Sequence, residues 1–412
     1  MTDAAQTVRP LEGLRVLDVS TFIAGPYCAA IMGEFGAEVI KVEQPGTGDS
    51  ARGFGTPTTR KSSTLGTGDT LNWLNEGRNK RSITLDLQHP KGKKLFQDLV
   101  AKSDVLIENF RTGTLEKWGL GYEELSKLNP GLVMVRITGY GQTGPYKNRP
   151  GFARIAHAFG GLTYLSGMPG GTPVVPGSTS LADYMSGMYG AIGTMMALKA
   201  RETTGEGQYI DIGLYESVLR VLDEIGPAFQ RHGFVRERLG PATVNVCPHS
   251  HYKTGDDKWI AIACSNDKMF ERLARAMDRP ELASKEMYGP GHQRVPKQPE
   301  VDALVSAWTE SMPRAELLER CAKYDVPAGP INSIADIFAD PHVAARENFI
   351  PMTAEGLDGE FMVPNVVPRL SKTPGRVDSL GEALGASNAK VYSEVMGLSE
   401  AEIAALKEEG VI

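Results

Sequence analysis

The segment Leu14-Arg-Val-Leu-Asp-Val-Ser20 is a short apolar run that predicts a buried β-strand. Ala24-Gly-Pro26 then interrupts the pattern, and Pro26 suits the first position of a helix that we expect to end near Phe35. Ala37-Glu-Val-Ile-Lys-Val-Glu43 predicts a second strand. A strand, a helix and a strand within about thirty residues are typical of a βαβ unit.

The same alternation continues through the first half of the chain. Three further apolar runs predict strands, and segments with helical periodicity separate them: residues 81–87, 104–110 and 132–138. Strands that alternate with helices across short connections indicate an α/β fold with a doubly wound, Rossmann-like parallel sheet. Gly139-Tyr-Gly-Gln-Thr-Gly-Pro145 follows the last strand, at the edge where open α/β sheets bind ligands.

The second half of the chain has a different pattern. Trp259-Ile-Ala-Ile-Ala-Cys264 predicts a strand, and residues 267–277 and 298–321 predict amphipathic helices. We therefore expect a smaller α+β domain. The predicted division is 1–225 for the N-terminal part of the large domain, 226–330 for the small domain, and 331–412 for a linker and a return to the large domain.

The composition excludes several classes of protein. The chain has 412 residues, of which 41% are hydrophobic and 23% charged, as in a globular protein of two or three domains. It has no apolar run long enough for a membrane span, and its first residues lack the apolar core of a signal peptide. A net charge of −6, with acids and bases mixed, argues against a nucleic-acid surface.

Cysteines and histidines give no metal signature. The four cysteines are scattered and fit a reducing cytoplasm: Cys28, Cys247, Cys264 and Cys321. His249-Ser-His251 has no third ligand at a recognisable spacing, so we expect no metal. His157 lies in the apolar run Ile155-Ala-His-Ala-Phe159, which is typical of a core histidine.

One carboxylate stands out in Ser178-Thr-Ser-Leu-Ala-Asp-Tyr-Met-Ser-Gly-Met-Tyr-Gly-Ala-Ile-Gly-Thr-Met-Met-Ala-Leu198. Apolar residues recur behind Asp183 at helical spacing, so we predict a core-packed helix with Asp183 in its first turn. There the carboxylate meets free backbone N–H groups. It is either a helix cap, which is the commoner role, or a nucleophile held in an apolar cleft.

Several motifs taken together resemble the class III CoA-transferases, the CaiB–BaiF family. Leu11-Glu-Gly-Leu-Arg-Val-Leu-Asp-Val-Ser-Thr-Phe-Ile-Ala-Gly-Pro26 is similar to the opening of that family. The other matching segments are residues 36–43, Gly48-Asp49 with Arg52, 79–82, 108–110, Gly139-Tyr140 and 204–208. The resemblance covers residues 11–412, and Asp183 falls on the family's catalytic aspartate. It therefore favours the nucleophile interpretation.

The resemblance also implies an architecture and a reaction. Each subunit is expected to have a large and a small domain, and two identical subunits are expected to interlock as a homodimer. An ionised Asp183 would attack an acyl-CoA thioester, forming an anhydride and then an aspartyl-CoA thioester. An ordinary aspartate has a pKa of about 3.9, so no partner base is expected. No cofactor is expected to be bound permanently, because coenzyme A arrives as part of the substrate.

CoA contacts are implied at positions that match the family's pattern: Phe22, Ile23, Ala24, Leu85, Asn109, Phe110, Gly139, Tyr140 and Leu214. Three positions depart from it. Gln44 and Thr138 replace basic residues, and Lys117 replaces an arginine, which keeps the charge without the bidentate fork. The candidates left for the CoA phosphates are basic residues elsewhere in the first domain: Lys41, Arg52, Arg78 and Lys80.

Two alternative functions remain open at this point. Acyl-CoA racemases share the fold and carry a Gly-His-Asp motif whose histidine is one of two bases. The matching stretch here is Gly151-Phe-Ala-Arg154, and Phe152 cannot exchange a proton. A non-catalytic CoA-binding protein is the other alternative, and the presence of Asp183 argues against it.

The chain is also similar to family members that move CoA from succinyl-CoA to dicarboxylic or hydroxy-dicarboxylic acids. Groups that could bind a second carboxylate are Arg154, Arg236, Arg238, His249 and His251. These side chains could equally be ordinary surface or interface charges. Carnitine-type and aromatic acyl acceptors also remain open.

Overall fold

The computed structural model describes residues 8–62 and 69–412. Its largest sheet contains six parallel strands in the order β3-β2-β1-β4-β5-β6. Their bounds are β1 Arg15–Asp18, β2 Glu38–Glu43, β3 Lys80–Thr84, β4 Val105–Glu108, β5 Val133–Thr138 and β6 Tyr209–Gly213. The predicted parallel α/β sheet is thus confirmed. The direction of strand progression reverses between β1 and β4, which is where such sheets bind ligands.

Helices follow most strands of this sheet. In chain order they are α1 Ala24–Glu34, α2 Leu71–Glu76, α3 Pro90–Val100, α4 Thr114–Trp118, α5 Tyr122–Leu128, α6 Ala153–Phe159, α7 Leu162–Leu165, α8 Leu181–Thr204, α9 Leu214–Leu219 and α10 Ile225–His232. Short 3₁₀ turns occur at Ser50–Gly53 and Pro176–Ser178.

Successive side chains of a strand point to opposite faces of the sheet, and helices cover both faces, so these strands are buried on both sides. Val16 belongs to the core shared with α1, α6, α8 and α9, whereas Leu17 belongs to the core shared with α3, α5 and the last helices of the chain. Leu17 pairs in register with Ile40 of β2 and Leu106 of β4. This two-sided burial explains the continuous apolar runs that made the strands visible in the sequence.

Strand β6 was not anticipated from the sequence. It is an edge strand paired with β5 alone, and its first three residues are exposed or half-buried. Apolar residues therefore occur only at alternate positions, Ile210 and Ile212, and the strand is too short for that alternation to be distinctive.

The chain divides into two compact units. The first unit contains the chain up to Thr163, then Val175–Phe234 and Glu347–Ile412. The second unit contains Tyr164–Val174 and Val235–Arg346. The sequence placed its domain boundaries after residues 225 and 330. In the first unit the C-terminal segment packs on the sheet, where Tyr392 is buried and its hydroxyl donates to the Thr84 carbonyl oxygen at 2.7 Å.

The second unit has its own core around a three-stranded antiparallel sheet of β7 His249–Lys253, β8 Trp259–Ala263 and β9 Ala328–Pro330. Its helices are α11 Asp267–Ala276, α12 Gly291–Arg294, α13 Gln298–Thr309, α14 Arg314–Lys323, α15 Ile334–Ala339 and α16 Pro341–Ala345. The C-terminal segment of the first unit adds β10 Phe349–Met352, β11 Phe361–Pro364, α17 Asn388–Glu394 and α18 Glu400–Glu408.

Candidate active site

A cavity lies at the carboxyl ends of β1, β4 and β5, beside the point where strand progression reverses. Its walls include eight residues that the resemblance connects with CoA or with catalysis: Phe22, Ile23, Ala24, Asn109, Phe110, Gly139, Asp183 and Leu214. These residues come from segments nearly 200 positions apart, and the sheet topology brings them to one place.

Asp183 is half-buried in the first turn of α8, whose N-cap is Ser180. Removal of the carboxylate from water raises the pKa of Asp183 to about 7, while a hydrogen bond with Ser180 lowers it. The sequence-based expectation of an ordinary, fully ionised aspartate at neutral pH is therefore wrong. Asp183 titrates close to neutrality and carries a poorly solvated charge when it is ionised.

Small residues allow α8 to lie directly against α1. A Cβ atom on Gly187 would come within 2.7 Å of the Ala24 carbonyl oxygen, and one on Gly190 within 3.0 Å of the Cys28 sulfur. Cys28 is fully buried, and burial raises the pKa of its thiol, so it acts as a small core residue. This close approach places the start of α8 beside the loop between β1 and α1.

That loop, Thr21 to Ile23, is held from two sides. Asn109 accepts the Thr21 N–H at 2.8 Å and donates to the Thr21 carbonyl oxygen at 2.7 Å. Asp49 accepts the Phe22 N–H at 3.0 Å, and Phe22 has a left-handed backbone with a φ of 64°. A bulky residue rarely adopts this conformation without such support, so these hydrogen bonds fix the conformation of the loop beside the cavity.

The basic residues that the sequence offered for the CoA phosphates are buried inside the protein. Their ion pairs are Lys41 with Asp49 at 2.8 Å, Lys80 with Asp18 at 3.0 Å, Arg52 with Glu43 at 2.7 Å and Arg78 with Glu34 at 3.2 Å. Their charges are therefore neutralised by internal carboxylates. Asp18 and Asp49 keep Lys41 charged and raise its pKa despite burial.

A second cavity adjoins the ends of β1, β2 and β3. Lys41, Leu85 and Phe110 line it together with Trp118, whose ring meets that of Phe110 edge to face at 5.4 Å. Phe110 lines both cavities. Leu85 and Lys41, which the sequence grouped with the other CoA residues, thus lie on this neighbouring surface.

Three cations on the wall of the first cavity were missed by sequence reasoning. Arg111, Lys147 and Arg149 line it and are exposed, and among the described residues none of them forms an ion pair. Arg149 stacks over the Tyr146 ring, with its guanidinium carbon 3.7 Å from the ring centre. A usable signal existed, because Arg111 directly follows the Asn-Phe motif and the other two follow the glycine-rich loop after β5.

The two remaining positions matched to CoA have different surroundings. The Tyr140 ring belongs to an aromatic cluster with Tyr146, Phe159 and Tyr215, with ring centres 5.2–6.2 Å from its own. Lys117 is exposed on α4 and is not on the wall of either cavity described above.

The groups considered for a second carboxylate are divided between the units. Arg154 belongs to the first unit, where it is exposed on α6. The other four lie in the second unit: Arg236, Arg238, His249 and His251. Arg238 donates to the Tyr164 carbonyl oxygen at 2.7 Å, and His251 lines an open cleft with Trp259 and Ile331.

Within residues 8–62 and 69–412, no group of three or more histidine, cysteine or acidic side chains is arranged to hold a metal ion. The helices in the same ranges are all too short or too polar to cross a lipid bilayer.

A family model described as "CoA-transferase family III" matches residues 11–388. This chain belongs to CoA-transferase family III. The match spans the whole six-stranded sheet and the helix that carries Asp183. The resemblance inferred from sequence motifs is therefore confirmed.

Sequence relatives of this family III chain, and the solved structures of similar proteins, agree with that assignment. The beta subunit of succinyl-CoA–L-malate CoA-transferase from Chloroflexus aurantiacus is 56% identical over 100% of both chains, and an alpha subunit is 53% identical over 98% of this chain and 92% of the relative. Human succinyl-CoA:glutarate CoA-transferase is 33% identical over 98% and 90%. A CaiB/BaiF family protein from Brucella suis has a TM-score of 0.82 at 35% identity, covering 94% of this chain and 99% of that one.

The predicted activity, CoA transfer to a carboxylic acid, is confirmed by these comparisons. This family III chain is an enzyme, and the relatives named above are CoA-transferases rather than racemases. The phenylalanine at position 152, exposed on the cavity wall, agrees with that assignment.

Proposed function

We propose that this enzyme transfers CoA from succinyl-CoA to a small dicarboxylate of the malate type, with Asp183 as the covalent nucleophile. The observation that carries the proposal is the position of Asp183 on the wall of the cavity at the switch point of the sheet. The donor and the acceptor class are suggested by relatives that act on succinyl-CoA with L-malate, D-citramalate or glutarate.

The reaction proceeds in two symmetrical halves. The Asp183 carboxylate attacks the thioester carbonyl, the C–S bond breaks, and CoA thiolate leaves behind a mixed anhydride. The thiolate then attacks the aspartyl carbonyl, which releases succinate and leaves an aspartyl-CoA thioester. The acceptor carboxylate attacks that thioester, and the returning thiolate completes the acceptor's CoA ester and frees Asp183.

The surroundings of Asp183 suit this chemistry. Partial burial strips water from the carboxylate, which strengthens its attack and protects the anhydride from hydrolysis. Negative charge develops on each carbonyl oxygen as the reaction proceeds. We propose that backbone N–H groups of Ile23, Ala24 and Gly139 stabilise it, because these residues line the cavity beside Asp183.

We propose that the CoA chain is bound along the two adjoining cavities. The positive charges available for its phosphates are those of Arg111, Lys147 and Arg149. Lys41 instead pairs with Asp49, which accepts the Phe22 N–H, so it supports the loop beside the cavity. Phe110 and Leu85 supply apolar surface next to them. The thioester would then extend past Asn109 and Leu214 to Asp183.

We propose that two copies of this chain form a homodimer through α8. Four large apolar side chains of this helix are 37–67% exposed: Met188, Tyr189, Ile192 and Met196. Such a patch is characteristic of a protein interface. The alpha and beta subunit names of two relatives suggest an alternative partner, a homologous second chain.

Two further expectations accompany the proposal. The enzyme needs no permanently bound cofactor, since the carboxylate nucleophile and the CoA thiolate supply all the bonds that form and break. We place it in the cytoplasm, because Cys28, Cys247, Cys264 and Cys321 are all free thiols, which suits a reducing compartment.

A substrate panel tests the proposal directly. Succinyl-CoA is offered with L-malate, glutarate and monocarboxylates of equal size, and the new CoA esters are measured. Dicarboxylates should react with a higher kcat/KM, since a buried second carboxylate needs a cationic partner, and Arg154 of the first unit is a candidate. A preference for monocarboxylates would discard the acceptor class.

Asp183→Ala tests the nucleophile in the same assay. We expect transfer to fall by at least about a thousandfold with the fold intact. Wild-type protein incubated with succinyl-CoA and no acceptor should carry a CoA adduct on the peptide that contains Asp183. Residual activity within about tenfold of wild type, or an adduct on another peptide, would contradict the assignment.

A further inference from the structure

His157 makes a specific contact with the helix that carries Asp183. It is buried on α6, with 1% of its surface exposed, and its Nε2 atom accepts the backbone N–H of Ala182 at 2.9 Å. Ala182 is the second residue of α8, is fully buried, and directly precedes Asp183. The imidazole thus bonds the backbone of the turn from which the nucleophile projects.

This contact replaces a missing helix cap. The first N–H groups of an α-helix have no partners within the helix and are commonly bonded by the N-cap side chain. Ser180, the N-cap of α8, makes no such bond. Because water cannot reach the buried Ala182 amide, His157 satisfies a donor that would otherwise be costly to bury.

The bond also defines the protonation of the ring. A ring nitrogen that accepts a hydrogen bond carries no proton, so the neutral ring must hold its proton on Nδ1. Nδ1 is buried and has no hydrogen-bond partner among the described residues of this chain. Burial, and the positive charge of Arg154 next to it, lower the pKa of His157 and keep the ring neutral near pH 7.

We propose that His157 is a positioning residue of the transferase reaction: by accepting the Ala182 N–H it fixes the first turn of α8 and thereby the direction in which Asp183 faces the cavity. The inference rests on the proposed role of Asp183 as nucleophile. It assigns to His157 no contact with substrate and no proton transfer.

Helix α6 packs against α8 and α9, and these three helices carry the ionisable groups that surround His157. Its own helix contributes Arg154, and the start of α8 contributes Asp183. Helix α9 contributes Tyr215 and Glu216, and the Glu216 carboxylate accepts the Gly213 N–H at 2.8 Å. A protonated imidazole would turn a second donor toward the Ala182 N–H, and the bond would be lost.

Two variants separate positioning from simple packing. His157→Gln keeps an acceptor oxygen, whereas His157→Leu fills a similar volume without one. We expect the leucine variant to lose about ten- to a hundredfold in kcat with the KM for succinyl-CoA changed less than about twofold, and the glutamine variant to retain kcat within about threefold. Equal kcat values in the two variants, whether high or low, would overturn the proposal.

The acid side of the pH profile gives a second readout that does not need the leucine variant to fold. In the wild type both Asp183 and His157 must be deprotonated, so the slope of log kcat/KM against pH should steepen from one toward two at low pH. In His157→Gln the slope should stay at one. A slope that is the same in both proteins would refute the role of the imidazole.

A third measurement is independent of turnover. Two-bond ¹⁵N–¹H spectra of histidine-labelled enzyme, with the resonance assigned by its loss in His157→Gln, should show a neutral ring protonated on Nδ1. A ring protonated on Nε2 would overturn the inference even if the wild type transferred no CoA. Conversely, an absence of transfer in the wild type with the expected tautomer would contradict only the proposed function.

Discussion

At the scale of single residues, the charge on Asp183 connects structure to rate. Burial raises its pKa to about 7, so near neutral pH the nucleophile is divided between its neutral and ionised forms. The cost of burying the anion also makes it more reactive, because an anion with few water contacts loses little solvation when it attacks. The sequence could show the carboxylate but not its environment.

The first prediction follows from this pKa. Only the ionised form attacks, so kcat/KM should rise about tenfold per pH unit just below pH 7, more steeply at lower pH where His157 also takes up a proton, and should level off above about pH 7. Rates with succinyl-CoA across pH 5–9 would measure this, with unfolding followed in parallel. A plateau that extends down to about pH 5 would contradict a raised pKa.

The same shift has a consequence for stability. Because folding raises the pKa of Asp183 above its ordinary value of 3.8, the folded state binds this proton more tightly than the unfolded chain. The stability conferred by this group is therefore greatest below pH 3.8 and is lost as pH rises through about 7. Asp183→Asn should raise the free energy of unfolding at pH 8 more than at pH 5, as measured in denaturant.

A third residue-scale prediction concerns the buried pair of Lys41 and Asp49 under the Phe22 loop. Asp49 pairs with Lys41 and accepts the Phe22 N–H, so Asp49→Ala leaves a buried ammonium with less compensation and frees the loop. Removing one partner of such a pair costs about 3–5 kcal/mol in unfolding free energy. The matched control is Asp98→Ala, whose pair with Lys94 is exposed and should be worth less than about 1 kcal/mol. Equal losses in urea titrations would contradict the argument.

At the scale of elements, the contact between α1 and α8 is what brings Asp183 to the β1 loop. It depends on glycine, because a side chain at position 187 would strike the backbone oxygen of Ala24. Glycine lowers the intrinsic helix propensity of α8, yet the helix is 24 residues long. The close packing against α1 that Gly187 and Gly190 permit stabilises it. The element and the site are therefore linked.

Gly187→Ala tests this link. The added methyl group should force the helices apart, lower the free energy of unfolding by about 1–3 kcal/mol and reduce kcat through displacement of Asp183. Gly226→Ala in α10 is the control, since nothing lies within 4 Å of its added Cβ and alanine favours a helix by up to about 1 kcal/mol. Thermal melting and turnover of the two variants should diverge, and similar values would refute the packing argument.

At the scale of the whole molecule, the exposed apolar face of α8 calls for a partner. We predict that Ile192→Asp, a charge placed within this face, shifts the protein from dimer to monomer in analytical ultracentrifugation. Lys199→Ala on the exposed end of the same helix should leave the dimer intact. A wild-type chain that is monomeric alone and dimerises only with a homologous chain would contradict the homodimer.

The sequence by itself determined the α/β class, the positions of strands β1 to β5 along the chain, the position of Asp183 in the first turn of a helix, and the family. These features are local: apolar periodicity reports burial on one or two faces, and motifs keep their spacing whatever their surroundings. Edge strand β6 escaped because an element with one neighbour and one exposed face leaves a weak pattern.

Only the tertiary structure decided how the charged groups are used. The sequence suggested that Lys41 was available to bind phosphate, but in the fold it is buried in an ion pair with Asp49. The cations on the cavity wall come instead from two separate segments: Arg111, Lys147 and Arg149. Likewise His157 reads as a core residue, and only the fold brings it to the amide beside Asp183. The physical reason is that pKa, ion pairing and solvent access depend on neighbours in space. The local sequence pattern does not reveal those neighbours, whether they lie eight residues away, as Asp49 does from Lys41, or 25 residues away, as Ala182 does from His157.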